Sequence, residues 1–383
     1  MLRGWAKRIA VAFAAVVACV AASAAASAAP SGAAVRAGAY GDRTAYLAAA
    51  EQGVVQIKQR WWNAGLAWYD KYPTVPGDLP LATAWDAFPL FEAYTAIALA
   101  DPSPANVAAV TDFAVGAERY WNPDMYPVGG FTFYPDLAGK TNSAFFDDTG
   151  WLGVAFFDAY RATKDPRFLH DAIRAFRFID IVGWAGDSGG GIWWDTDHQY
   201  KTAEPLAAAA LLGGEIYQQT HIKWYLKETK KLLAWADKHA WNSARGLYAR
   251  SDTSDTVMNY VEGMMIGAQT MLCRATRDLS RCIRAEQLAR AAAIAFPSDY
   301  HWAPETDVIY LRWMLDLYAK DHNARWYALV DAKAQQALTN AKDARGLYTK
   351  RWDGQFASND RLLTIAATTS LFGWMAASAP APH

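Results

Sequence analysis

Residues 150–179 read GWLGVAFFDAYRATKDPRFLHDAIRAFRFI, and this stretch decides the fold. Leu152, Ala155, Phe156 and Ala159 fall at the i, i+3, i+4, i+7 spacing that lays one apolar stripe along a helix. Residues 163–166 break the pattern. Phe168, Ala172, Ile173, Ala175 and Phe176 then open a second periodic run. The spacing predicts a helix, a tight turn and an antiparallel helix.

The same unit recurs along the chain, which makes repetition the organising feature. GMMIGAQTMLCRATRDLSRCIRAEQLARAAA (263–293) repeats it closely. Its Arg274-Ala275-Thr276-Arg277-Asp278 echoes Arg161-Ala162-Thr163-Lys164-Asp165. Between them lies LAAAALLGGEIYQQTHIKWYLKETKKLLAWA (206–236), with Thr220 nearly midway. Looser copies run over 87–117 and 308–338. A helix around 44–69, in which Trp61-Trp62 packs, and another around 361–376 make a sixth pair by joining the ends. The links GGGIWWD (from Gly189), ARGLYARSD (from Ala244) and ARGLYTKRWD (from Ala344) read as strand-like returns to one rim. An open stack of such pairs needs polar capping repeats, and neither end supplies one. The expected fold is therefore all-α, an (α/α)6 toroid forming one domain over 43–378, with short β pieces on one rim. An open superhelical stack is the alternative.

Arg3, Lys7 and Arg8, the apolar run from Ile9 to Val20 and the small residues Ala26-Ser27-Ala28 read as a signal peptide over 1–28. Val16-Val17-Ala18-Cys19 also fits a lipoprotein signal ending before Cys19, with the following segment as a tether. Residues 29–42 read as a linker. The protein is expected to be exported, secreted or periplasmic, with lipid anchoring through Cys19 as the variant reading. The apolar run is too short to span a bilayer.

The formal net charge is −1, and removing the three leader cations takes it to −4. A mildly acidic chain without a basic block argues against nucleic acid as partner. Cys273 and Cys282 are placed to staple one helical hairpin as a disulfide, with two buried thiols as the alternative. The 18 tryptophans and 19 tyrosines point towards a glycan partner, because sugar C–H faces stack on aromatic rings. Histidines are scattered, with no metal-ligand spacing, and no phosphate-binding or Gly-x-Ser-x-Gly motif occurs. No metal and no cofactor is expected. Nothing points beyond a monomer.

Asp147 and Asp148 stand at the start of the helix within FFDDTGWLGVAFFDAY (145–160). One aspartate there is explained as a helix cap. Two adjacent ones repel each other, and glycoside hydrolysis gives the second a use. Retaining enzymes need carboxyl groups about 5–5.5 Å apart and inverting ones about 6.5–9.5 Å. When one of a close pair is ionised, the other holds its proton to higher pH.

FFDDTGWLGVAFFDAYRATKDPRFL (145–169), GGGIWWDTDHQYKTAEPL (189–206) and MNYVEGMMIGAQTMLCRATRD (258–278) resemble the successive motifs of glycoside hydrolase family 76. The resemblance runs from about Trp61 to the last helix. It implies a retaining endo-α-1,6-mannanase on an (α/α)6 barrel, with Asp147 as nucleophile and Asp148 as general acid/base. The chain departs from the family pattern at Tyr260-Val261-Glu262-Gly263, at Tyr200-Lys201-Thr202-Ala203 followed by Glu204, and at Trp151-Leu152. These departures bear on substrate and linkage more than on reaction class.

Trp193 and Trp194 offer a sugar platform, although alternation along a strand turns one of them into the core. Trp85 and Asp86 begin another first helix, in the same place as the aspartate pair, where Asp86 reads equally as a cap. Tyr260 and Glu262 lie at that place in a further hairpin, and Trp151 sits just past the aspartates. Lys201 is a candidate for a hydroxyl contact. The competing functions are a non-catalytic glycan-binding toroid and another toroid sugar enzyme, such as an unsaturated glucuronyl hydrolase or an epimerase. The paired histidines of the epimerases are missing, and the motifs are poor in basic groups for a uronate.

Overall fold

The structure is a computed structural model and describes residues 40–73, 80–135, 143–297, 304–355 and 360–380. The expected leader over 1–28, Cys19 and most of the linker lie outside the described residues. Among the described residues, twelve α-helices alternate between two concentric layers. The outer layer holds α1 (Arg43–Trp61), α3 (Pro104–Ala117), α5 (Pro166–Phe178), α7 (Lys223–His239), α9 (Leu279–Ala295) and α11 (Ala324–Asn340). The inner layer holds α2 (Ala84–Ala100), α4 (Phe146–Thr163), α6 (Ala203–Thr220), α8 (Asn259–Thr276), α10 (Pro304–Asp321) and α12 (Leu362–Ala377). Each inner helix packs on the next, and α12 packs on α2, so the ring closes. The sixth pair does join the chain ends, α1 lying against α12. The fold is an (α/α)6 toroid.

The turns explain the repeat seen in sequence. Thr163, Thr220 and Thr276 each donate a side-chain hydrogen bond four residues back, to Ala159, Ile216 and Leu272. The same hydroxyls accept from the backbone N–H of Asp165, Ile222 and Asp278. Lys164, His221 and Arg277 between them take the left-handed conformation at φ of 62°, 58° and 58°. Asp165 and Asp278 then cap α5 and α9. One threonine therefore closes one helix and starts the turn into the next.

The returns from outer to inner helices carry the β structure. β1 (Trp62–Asn63) pairs with β2 (Trp68–Tyr69), β3 (Trp121–Asn122) with β4 (Gly130–Phe131), and β5 (Trp241–Asn242) with β6 (Leu247–Ser251), which pairs with β7 (Ser254–Val257). All pairings are antiparallel. Three of these hairpins open on a Trp-Asn pair whose asparagine Oδ1 accepts a backbone N–H of the turn. Each tryptophan lies under a cation, Lys58 on Trp62, Arg174 on Trp121 and Arg284 on Trp241. Trp61 ends α1 fully buried, as expected, whereas Trp62 belongs to β1.

Tyr40 stacks edge-on against Tyr327, and the Gly41 N–H donates to the Asp331 carboxylate of α11. The last residues assigned to the linker thus lie on the toroid. Cys273 and Cys282 are joined, tying the end of α8 to the start of α9 with Cα atoms 5.0 Å apart. No helix among the described residues is long and apolar enough to cross a membrane.

Two features place the site. Gly150 and Gly153 allow α4 to approach α6 closely, since a Cβ on either would lie 2.5 Å from Ala208 Cβ or 2.4 Å from Leu212 Cδ2. Deeper in the ring, the buried Arg312 of α10 pairs with Glu92 of α2 at 2.5 Å and with Asp158 of α4. Trp374 Nε1 of α12 donates to the same Glu92 at 3.0 Å. Burial raises the Glu92 carboxyl to about 8 against the pull of Arg312.

Removing Arg312 leaves Glu92 buried without its cation and Asp158 with Arg161 alone. Arg312→Met is expected to lose about 3–5 kcal/mol in denaturant unfolding, and adding Glu92→Gln and Asp158→Asn should restore part of it. Replacing Cys273 and Cys282 by serine releases a short loop, and an oxidised-minus-variant difference of about 2–3 kcal/mol should appear in the same assay.

Candidate active site

All six inner helices start at one rim, where their unpaired N–H groups point outwards and favour negative charge. Asp147 and Asp148 are the second and third residues of α4, and the N-cap is Phe145, which offers no capping side chain. Neither aspartate is therefore the cap, although Asp147 Oδ1 accepts the Asp148 N–H at 3.0 Å. Its other oxygen, Oδ2, accepts Trp194 Nε1 at 3.2 Å. Asp148 is 9% exposed, and its carboxyl has no hydrogen-bond partner among the described residues.

The two acids thus sit in different surroundings. Burial and the Glu204 charge raise Asp147 to about 7, while the Trp194 and Asp148 N–H groups pull it back. Asp148 lies well above the ordinary carboxylate range. Burial comes first among its causes, then the charges of Asp147 and Asp86, with Arg361 opposing. The proton therefore rests on Asp148 while Asp147 ionises, and the pair offers a base and an acid together.

On the α2 side, Asp86 closes a capping box, its Oδ2 accepting the Thr83 N–H and hydroxyl. Its Oδ1 accepts Arg361 Nε at 2.5 Å, just before α12. Asp86 is thus the third-residue partner of the N-cap Thr83 and a charged neighbour of Asp148. On the α6 side, Glu204 is 2% exposed and its Oε1 accepts Arg250 Nε from β6 at 3.0 Å. The Tyr260 hydroxyl meets Glu204 and feels the Asp147 charge. Below the aspartates runs an aromatic floor from α2 through α4 to α8. Trp85 lies 5.7 Å from Trp151, and Trp151 lies 6.0 Å from Tyr260.

Trp193 and Trp194 turn to opposite sides, but neither enters the core, both staying half-buried. Trp194 turns to Asp147 and stacks on the exposed Tyr200, with centroids 5.1 Å apart. Trp193 turns the other way, stacking on His198 at 5.4 Å. Two residues are not brought to the pair. Lys201 hydrogen-bonds the Ser188 carbonyl and lies over Trp193. Glu262 is fully buried and its Oε1 accepts the Tyr248 N–H at 2.8 Å, which ties α8 to β6.

Arg250, Arg361 and Tyr200 were not singled out from sequence, and Glu204 only as a departure from a motif. A signal existed for Glu204. Every inner helix except α12 has an acid in its first turn, and no outer helix does.

The model of glycosyl hydrolase family 76 matches residues 130–360. The chain belongs to this family. Its members' fold is shared over nearly the whole toroid. A family 76 glycoside hydrolase from a bovine Bacteroides thetaiotaomicron strain aligns with a TM-score of 0.79 at 20% identity, covering 87% of this chain and 77% of that one. A family 76 α-mannanase of Bacteroides thetaiotaomicron gives 0.78 at 19% identity, over 87% and 95%. An inactive α-1,6-mannanase variant from Salegentibacter sp. HEL1_6, with two adjacent aspartates replaced by alanine and α-1,6-mannotetraose bound, gives 0.71 at 17% identity, over 86% and 98%. No curated protein matches the chain in sequence. As a family 76 member the chain is a glycoside hydrolase.

The raised Asp147 carboxyl has a consequence for stability. The folded chain binds a proton there more tightly than the unfolded chain, so its contribution weakens as pH rises from about 4 to about 7. Asp147→Asn removes that loss. The variant is expected to melt higher than the parent at pH 7.5 and together with it at pH 4, as thermal unfolding at the two pH values would record.

Proposed function

We propose that this family 76 protein is an exported retaining hydrolase of α-1,6-linked mannan, with Asp147 as nucleophile and Asp148 as general acid/base. The observation that carries the reading is the unequal environment of two adjacent aspartates at one helix start. Asp147 is held by two N–H donors, whereas Asp148 is buried without one.

In the first step the Asp147 carboxylate attacks C1 of a mannosyl unit, while Asp148 passes its proton to the departing O6. The sugar is left esterified to Asp147. In the second step Asp148, now ionised, takes a proton from water, whose oxygen attacks C1 and releases Asp147. Two inversions at C1 retain configuration. As charge leaves Asp147 in the first step, its hydrogen bonds weaken, and they re-form in the second. The low-dielectric surroundings that raise both acids strengthen each of these interactions.

The choice of mannan rests on the neighbours. The Salegentibacter enzyme is an α-1,6-mannanase, is inactive with both its adjacent aspartates replaced, and binds α-1,6-mannotetraose in that form. The aromatic floor of Trp85, Trp151 and Tyr260, and the exposed Tyr200 stacked on Trp194, suit the apolar faces of successive sugar rings. Export follows from the leader over 1–28, with a lipid anchor at Cys19 as the other form of that leader. The domain acts as a monomer.

Asp148→Asn is expected to lower turnover of linear α-1,6-mannan by roughly 10²–10⁴-fold, and Asp147→Asn by at least as much. Sugar release and the anomeric configuration of the first product, followed by NMR, are the measurements. Turnover of both variants within a few-fold of the parent would refute catalysis by this pair, and a β-configured first product would refute retention. Retained binding with lost turnover would exclude a purely binding toroid.

A further inference from the structure

Arg250 has a geometry that its ion pair does not exhaust. It stands on β6, in the return between α7 and α8, and its Nε donates to Glu204 Oε1 at 3.0 Å. A side-on arginine–carboxylate pair engages Nε and a terminal amino group together. Here only Nε is engaged. Among the described residues the two terminal amino groups of Arg250 donate no hydrogen bond, and the side chain stays 35% exposed.

Its surroundings belong to the cleft. Arg250 acts on the hydroxyls of both Tyr200 and Tyr260, and both hydroxyls also feel Asp147. Tyr200 is 42% exposed and stacks on Trp194, whose indole N–H holds Asp147. A planar fork of donors is thus fixed beside the exposed Tyr200, the half-buried Trp194 and the reacting carboxylate. The Glu204 charge balances the guanidinium, so the fork presents donors without a net positive field and suits a neutral diol better than an anion.

We infer that Arg250, oriented by Glu204, is a specificity-determining residue whose terminal amino groups donate to adjacent hydroxyls of the glycosyl unit stacked on Trp194 and Tyr200. The inference rests on the mannan-hydrolase reading and assigns the recognition of one of its sugars. Each hydroxyl that Arg250 holds is held in the ground state and the transition state alike, so its loss falls on KM and spares kcat.

The test compares Arg250→Ala with the parent, both alone and in a Glu204→Gln background that leaves no buried unpaired carboxylate behind. The substrate is α-1,6-mannotetraose, and KM, kcat, the pH profile of kcat and the melting temperature are measured. The expected result is a KM about ten-fold higher in both backgrounds, with kcat within about three-fold and, within the Glu204→Gln background, an unmoved pH profile. Arg250→Lys keeps the charge without the fork and should restore less than half of the loss in binding free energy. A KM within two-fold of the parent overturns the inference. So does a KM effect confined to the background that keeps Glu204, which would make Arg250 only the counter-charge of Glu204. A parent protein that neither binds nor cleaves the tetrasaccharide overturns the mannan reading itself, and that outcome shows before any variant is made.

Discussion

Six inner helices running in one direction gather six N-termini at one rim, and the chemistry of the protein depends on that alignment. Free N–H groups and converging dipoles favour anions there. The sequence answers with first-turn acids on α2, α4, α6, α8 and α10 and none on any outer helix. The outer helices use side-chain caps such as Asp42, Ser103, Asp165, Asp278 and Asn323. Inner acids are buried, and burial opposes the dipoles. Asp86 and Glu204 meet the conflict with arginines, and Glu262 with one backbone N–H that leaves its carboxyl well above the ordinary range. Asp148 has neither kind of hydrogen bond among the described residues, and burial beside Asp147 holds it well above that range as well.

Where each acid finds its partner separates the legible from the illegible. The hairpins could be read because their signal is local: an apolar stripe, a threonine, a left-handed residue and a cap within a few positions. The disulfide lay within one such hairpin. Ring closure followed from the lack of capping repeats, which is an argument about exposed faces and not about any single residue. The Trp-Asn openings at 62, 121 and 241 were equally local and went unread, because each two-residue strand is too short to show a period.

At α4 the site was legible as an interaction, and elsewhere only as single residues such as Trp85, Asp86, Trp194 and Tyr260, without their partners. Asp147 and Asp148 are neighbours in sequence, so their interaction is written there. Glu204 and Arg250 lie 46 positions apart, and Asp86 and Arg361 275 apart. No spacing rule connects such pairs. Glu262 and Lys201 stand at helix starts or rim loops like the rest, yet they face the Tyr248 backbone and the Ser188 carbonyl. Position along the chain fixes the rim a residue reaches, whereas its rotamer and partners fix whether it faces the cleft.

The seam between α1 and α12 changes the thermodynamics of the whole. Arg43 at the start of α1 holds the Ala376 carbonyl near the end of α12 at 3.0 Å. A linear array of helical pairs melts from its ends, each unit answering chiefly to its neighbours. A ring has no end from which to fray. Parting the seam bares two apolar faces at once and frees α2 as well as α1 from α12, so partial opening is penalised and the hairpins melt as one cooperative body. The aspartates on α4, far from the seam along the chain, therefore share the stability of contacts they never touch.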